Sequence, residues 1–161
     1  MKNLSLLLAL VIPFLFSNCK QADADGDVTF AKQTFESLAR GNTSVADDID
    51  WETFTSLGVP VGQRYVTFKN DAERADFTNS FITQFSSSFR ESGGSADNFT
   101  NWKVDSHDET HTKVTADSSG GILKLTVSER DGKERLSAIE VIKQTICPSP
   151  TFRCNEPHEY S

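Results

Sequence analysis

The sequence predicts an α+β fold, in which N-terminal helices and one long helix pack on a curved antiparallel sheet. Three observations lead there. Apolar residues recur at helical spacing through the first half of the chain and alternate with polar residues through much of the second, with Gly93-Gly94-Ser95 dividing the two patterns. Helices first and strands afterwards are the order that an α+β layout requires. The 143 residues that follow position 18 suit one domain around one core.

Val28, Ala31, Phe35, Leu38 and Ala39 predict a first helix over 28–40, with Gly41 as its left-handed cap. Val45, Ile49, Phe54 and Leu57 repeat in the same way, so a second helical piece is expected over 44–57, and Tyr65-Val66-Thr67-Phe68 suggests a short strand. The clearest helix lies over 71–91. Asn70 caps it with Glu73 reaching back, and Ala75, Phe77, Phe81, Ile82, Phe85 and Phe89 form a stripe expected to bury Phe81 and Phe85 deeply against the sheet. Thr83 and Ser86 to Ser88 are expected on the wet side.

Strands are predicted near 99–106, 110–117, 122–130 and 133–142. Asp131-Gly132 provides the two positive-φ positions of a type I′ hairpin. Closure there sets Val127 opposite Leu136 and Leu125 opposite Ala138. Beyond Ala138 the apolar parity passes to Ile139 and Val141, so a bulge is expected at that point.

This element order, with Phe35-Glu36-Ser37-Leu38-Ala39-Arg40-Gly41-Asn42, resembles the cone-shaped NTF2-like or cystatin-like roll over residues 28–142. The resemblance implies a concavity at the wide end of the sheet, which in that family often binds a small apolar ligand and sometimes catalyses.

Lys2 precedes residues 4–16, apolar except for Ser5, and the run ends in Phe16-Ser17-Asn18-Cys19-Lys20. The stretch is too short to span a bilayer of about 30 Å and reads as an export signal. It resembles a relaxed bacterial lipobox, with Asn18 and Phe16 where Gly or Ala and Leu are usual. The resemblance implies lipid on Cys19, cleavage before it, and an envelope address, with Lys20 favouring the outer membrane over the inner. The chain then divides into a signal peptide (1–18), an acidic tether (19–27), the roll domain (28–142) and a Pro- and Cys-containing tail (143–161).

With Cys19 lipidated, Cys147 and Cys154 remain as an even pair suited to an oxidising compartment. A disulfide between them closes a small ring and constrains the unfolded chain by about 2.5 kcal/mol in the entropy model. Loss of residues 1–18 removes only Lys2 of the 16 basic side chains, leaving 15 against 23 acidic ones, a net charge of −8. That balance argues against nucleic acid as a partner and leaves the lipid to hold the protein at the membrane.

Motifs for chemistry are sparse. Asp23, Asp25 and Asp27 alternate like a calcium loop, but neither frame supplies both the glycine and the final glutamate. His107 and His111 are spaced as in H-E-x-x-H, with the glutamate one place late and strand-like flanks, so a hairpin turn at Asp108-Glu109 is expected. Cys147, Cys154 and His158 lack a fourth ligand for zinc. Asp50, Glu52, Tyr65 and Asp76 are the acids and bases nearest apolar segments, and none belongs to a catalytic motif. No catalytic residue, metal or cofactor is assigned.

Trp51, Phe54, Phe77, Phe81, Phe85 and Phe89 are the residues expected to line a lipid-sized pocket if the cone is open, and to fill the core if it is closed. The expected function is that of a non-enzymatic envelope lipoprotein, held to the membrane through Cys19, that binds a small apolar ligand or a partner protein. The alternatives are a cyclase- or dehydratase-type enzyme on the same roll and a surface adhesin. An open apolar cavity without a carboxylate or histidine favours the binder.

Overall fold

The computed structural model describes residues 19–143, with side chains from Asp25 onward. The signal segment and the Cys147, Cys154 and His158 side chains lie outside those residues, and for Cys19 only the backbone is described. The fold is α+β: a five-stranded mixed sheet in the order β1-β5-β4-β3-β2 with helices packed against it.

Helix α1 runs over Cys19–Arg40, beginning nine residues before the expected start. The segment 19–27, read as an acidic tether, is therefore helical. Ala22 and Ala24 favour helix, and buried Asp27 is fixed by a hydrogen bond from Thr112 of the sheet. Ala31, Phe35, Leu38 and Ala39 form the buried face. The helix ends in a Schellman motif: Asn42 N–H donates to Ser37 C=O and Gly41 N–H to Leu38 C=O, both at 3.0 Å. Gly41 has φ +77°, and a Cβ on it would stand 2.9 Å from Ser86 Oγ of the long helix, so glycine meets both the turn and the close approach.

The segment expected as a helix over 44–57 is instead a 3₁₀ turn, Thr43–Asp48, followed by extended chain. Ile49 bridges Leu136, and strand β1 (Thr55–Ser56) pairs parallel with the last strand, Thr55 opposite Ala138 and Ser56 opposite Ile139. That pairing adds a parallel edge to the expected antiparallel sheet. Leu57 and Gly58, at φ 51° and 82°, make the type I′ turn that leaves it. Nor is 65–68 a strand: α2 (Val61–Tyr65) occupies its start, and Tyr65 stacks on Trp51.

Helix α3 spans Asp71–Glu91, with Asn70 accepting from Glu73 N–H at 2.9 Å and Glu73 accepting from Lys69 N–H. Its packing departs from expectation. The fully covered line is Thr78, Ile82 and Ser86, which faces α1 and the 43–48 turn. Ser86 is 2% exposed because Gly41 leaves room for it. Phe77, Phe81, Phe85 and Phe89 flank that line and are only partly buried, and Ala75 is exposed. The helix that lies on the sheet is α1, which contacts all four long strands.

Those strands are β2 (Thr100–His107), β3 (His111–Ser118), β4 (Gly121–Arg130) and β5 (Lys133–Ile142), an antiparallel meander close to the expected boundaries. Asp131 and Gly132 adopt φ 55° and 71°, as a type I′ hairpin requires. Val127 faces Leu136 as expected, but Leu125 faces Ile139, not Ala138. The bulge falls at Ser137, before Ala138, where Ser137 Oγ donates to Thr126 C=O at 3.2 Å. The extra residue returns Ile139, 1% exposed, to the core.

Candidate functional site

Between the C-terminal half of α3 and the sheet lies a cavity of about 600 Å³. On the sheet side Val141 of β5 is half exposed and Leu123 of β4 and Ile139 of β5, each 1% exposed, lie packed behind it, with Phe85 and Phe89 opposite. The loop after α3 and the turn between β3 and β4 close the end. Both are built from small residues, Ser92, Gly93, Gly94 and Ser95 in one and Ser118, Ser119 and Gly120 in the other. Leu57 and Val141, 59% and 49% exposed, extend the apolar surface outward at the mouth. Among the described residues no lining side chain is ionisable.

The aromatic walls are ordered by mutual contact. Phe85 and Phe89 stack with centroids 6.2 Å apart, Phe89 and Phe99 at 6.3 Å, and Phe35 meets Phe99 edge-on at 5.2 Å. Such arrangements add about 0.5–1.5 kcal/mol per pair beyond area burial, which keeps the rings as walls and resists collapse into the space.

The six residues expected for the pocket therefore separate into two groups. Phe85 and Phe89 line the cavity. Trp51, Phe54, Phe77 and Phe81 do not; they fill the neighbouring core, where Trp51 meets Phe54 and Phe81 at 5.6 Å and Phe77 at 6.4 Å. Trp51 Nε1 donates to Ala46 C=O at 2.8 Å, so its polar edge is satisfied. Phe35, Phe99, Leu123, Ile139 and Val141 were not anticipated as lining residues. The pairs of Gly- and Ser-rich turns at one end of the sheet are the signal that would have pointed to them.

None of the acids and bases near apolar segments reaches the cavity. Asp50 accepts from Arg130 Nη1 at 2.9 Å and Glu52 from Arg130 Nη2 at 2.7 Å. These bonds, to Glu52 first and then Asp50, raise the Arg130 guanidinium further above its ordinary value and pin the β4–β5 hairpin to the 50–52 segment. Asp76 is exposed.

At the opposite end of the sheet lies a polar cavity of about 710 Å³, bounded by Asp27, His107, His111, Glu109, Glu129 and Glu134. Here Thr112 gives its single hydroxyl proton to Asp27 and contacts His107 Nδ1 at 2.7 Å, so His107 must be the donor in that second bond. In the neutral ring Nε2 then carries the lone pair. The hairpin at Asp108-Glu109 forms as expected. Asp108 Oδ1 accepts from the backbone N–H of Thr110 and of His111, each at 2.9 Å, and these bonds hold its carboxyl below the ordinary carboxylate range. Among the described residues no group of three or more His, Cys, Asp or Glu side chains is placed to hold a metal ion.

Among the described residues no helix is long and apolar enough to cross a membrane. Comparisons with protein-family models, with curated proteins and with solved structures find nothing that matches this chain.

Proposed function

We propose that this chain is a lipid-anchored lipoprotein of the bacterial envelope whose α+β domain binds a small apolar ligand in the cavity between α3 and the sheet. One observation carries the binding half: a cavity of about 600 Å³ with phenylalanine walls, an apolar sheet side and, among the described residues, no ionisable lining side chain. Its size and chemistry match those of small-molecule pockets. An enzyme working there would need an acid or base in contact with the ligand, and the oriented His107 opens instead onto the polar cavity at the other end. The anchoring half is supported by the apolar run over 4–16 and the relaxed lipobox at Cys19.

Helix α1 relates the two halves. Its course from Cys19 to Asp27 rises about 12 Å at 1.5 Å per residue. A lipid on Cys19 would then hold the polar end of the sheet near the bilayer and the apolar cavity at the far end.

The test is uptake of the neutral fluorophore N-phenyl-1-naphthylamine by the folded protein. Saturable binding at one site per chain is expected, and Val141→Trp, which enlarges an exposed side chain at the cavity mouth, should abolish it without loss of stability. Uptake that is unsaturable, or unchanged in Val141→Trp, would refute the site.

A further inference from the structure

We infer that the ligand is electrically neutral, an apolar body carrying an uncharged hydrogen-bonding oxygen such as an alcohol, ketone or ester, and not a fatty-acid anion or another charged amphiphile. This rests on the binding reading above and specifies the chemistry of that same cavity.

The first argument is desolvation. A carboxylate or ammonium moved from water into apolar surroundings without a partner costs several kcal/mol, and such a group inside the cavity would find no opposite charge among the described lining residues. Arg40, Arg90 and Asp97 line a separate cleft that shares only Phe89, Gly94 and Ser95 with the cavity. They are also engaged there. Arg40 pairs with Glu36 at 3.4 Å and Asp97 at 3.8 Å, and Arg90 Nε donates to Ser86 C=O at 3.3 Å.

The second argument is hydrogen-bonding capacity. Three of the serines are committed within the protein: Ser92 Oγ donates to Phe89 C=O at 2.7 Å, Ser118 Oγ donates to Gly121 C=O at 3.0 Å, and Ser95 Oγ accepts from Asp97 N–H at 3.3 Å. The side chains of Ser88, Asn98 and Ser119 are exposed and make no such bond among the described residues, so they remain available to a ligand. Hydroxyl and amide groups at the rim satisfy a neutral oxygen, whereas the Phe, Leu, Ile and Val surfaces behind them accept only hydrocarbon. A third contribution comes from the whole chain, whose net charge of −7 repels anions approaching the mouth.

The experiment compares two probes with the same ring skeleton. N-phenyl-1-naphthylamine is neutral, and 8-anilinonaphthalene-1-sulfonate carries one negative charge. Titrations run at 0.5 M salt, where the Debye length is only a few Å, remove the long-range repulsion and leave the local effect. The sulfonate should bind at least roughly tenfold more weakly. Decan-1-ol should displace the neutral probe, and decanoate at the same concentration should not. Equal affinity of the two probes, or equal displacement by alcohol and carboxylate, would overturn the neutral-ligand inference while leaving the cavity as a binding site. Failure of both probes to bind would overturn the binding reading and this inference with it.

Discussion

Gly94 lies against the ring of Phe89 so closely that a Cβ on it would stand 2.5 Å from Phe89 Cε2 and 2.7 Å from the Phe89 carbonyl oxygen. The glycine thus seats the ring that forms one wall of the apolar cavity. Gly94→Ala should displace Phe89, cost about 1–3 kcal/mol through overpacking, and weaken uptake of a neutral probe. Urea denaturation and probe titration on the same variant check both effects.

Phe54 and Phe85 separate core from cavity. Phe54 is fully buried beside Trp51 and Phe81, so Phe54→Ala should cost about 3–5 kcal/mol. Phe85 is only partly buried and faces the cavity, so Phe85→Ala should cost roughly 1–2 kcal/mol and yet change probe affinity more. Equal destabilisation by the two would mean that the space beside Phe85 is filled.

The Thr112 hydroxyl joins α1 to the sheet. Thr112→Val leaves Asp27 buried without its donor and His107 without its acceptor, and should lower stability by about 1–3 kcal/mol. Thr112→Ser keeps the hydroxyl and should restore most of the loss. Loss of the α1 N-terminal turns in the valine variant alone should be visible by hydrogen exchange.

The Asp108 turn gives a pH dependence of known sign. Because the folded-state carboxyl lies below its ordinary value of 3.8, its contribution is present above that value and is lost as pH falls through the folded value. Chemical denaturation between pH 5 and about pH 2 should therefore show stability falling with pH, with a shallower slope for Asp108→Ala.

The proposed anchor, joined to the helical start of α1, predicts an orientation at the membrane. If, as proposed, Cys19 is acylated and Cys147 pairs with Cys154, an introduced cysteine provides a free thiol for labelling. A fluorophore on Glu109→Cys, at the polar end, should be quenched by headgroup spin-labelled lipids in the vesicle, and one on Ser119→Cys should not. The reverse pattern would contradict the arrangement proposed for the anchor.

Local signals carried much of this fold. Asp131-Gly132 chose its turn, Asn70 capped its helix, and the alternation of Leu123, Leu125 and Val127 matched the sheet's inner face. What was illegible is non-local. Val45, Ile49 and Phe54 have helical spacing, but the backbone of Ile49 and of Thr55–Ser56 pairs with β5 about eighty residues later, and periodicity contains no trace of that partner. Ser86 has the spacing of a wet residue, but its burial depends on Gly41, the cap of another helix. The stripe of phenylalanines was visible, but its division into a filled half and a cavity wall depends on how α3 packs on α1 and the 43–48 turn. Cavity-lining residues from several distant segments have no shared pattern along the chain.

The most direct measurement is a methyl-resolved NMR titration of the folded domain with N-phenyl-1-naphthylamine. Binding between α3 and the sheet requires saturable shifts at Leu123, Ile139 and Val141, with exposed Val66, outside the cavity lining, unmoved. Shifts confined to Val66 and other surface methyls, or none at Leu123 and Ile139 at saturating probe, would contradict a ligand site in this cavity.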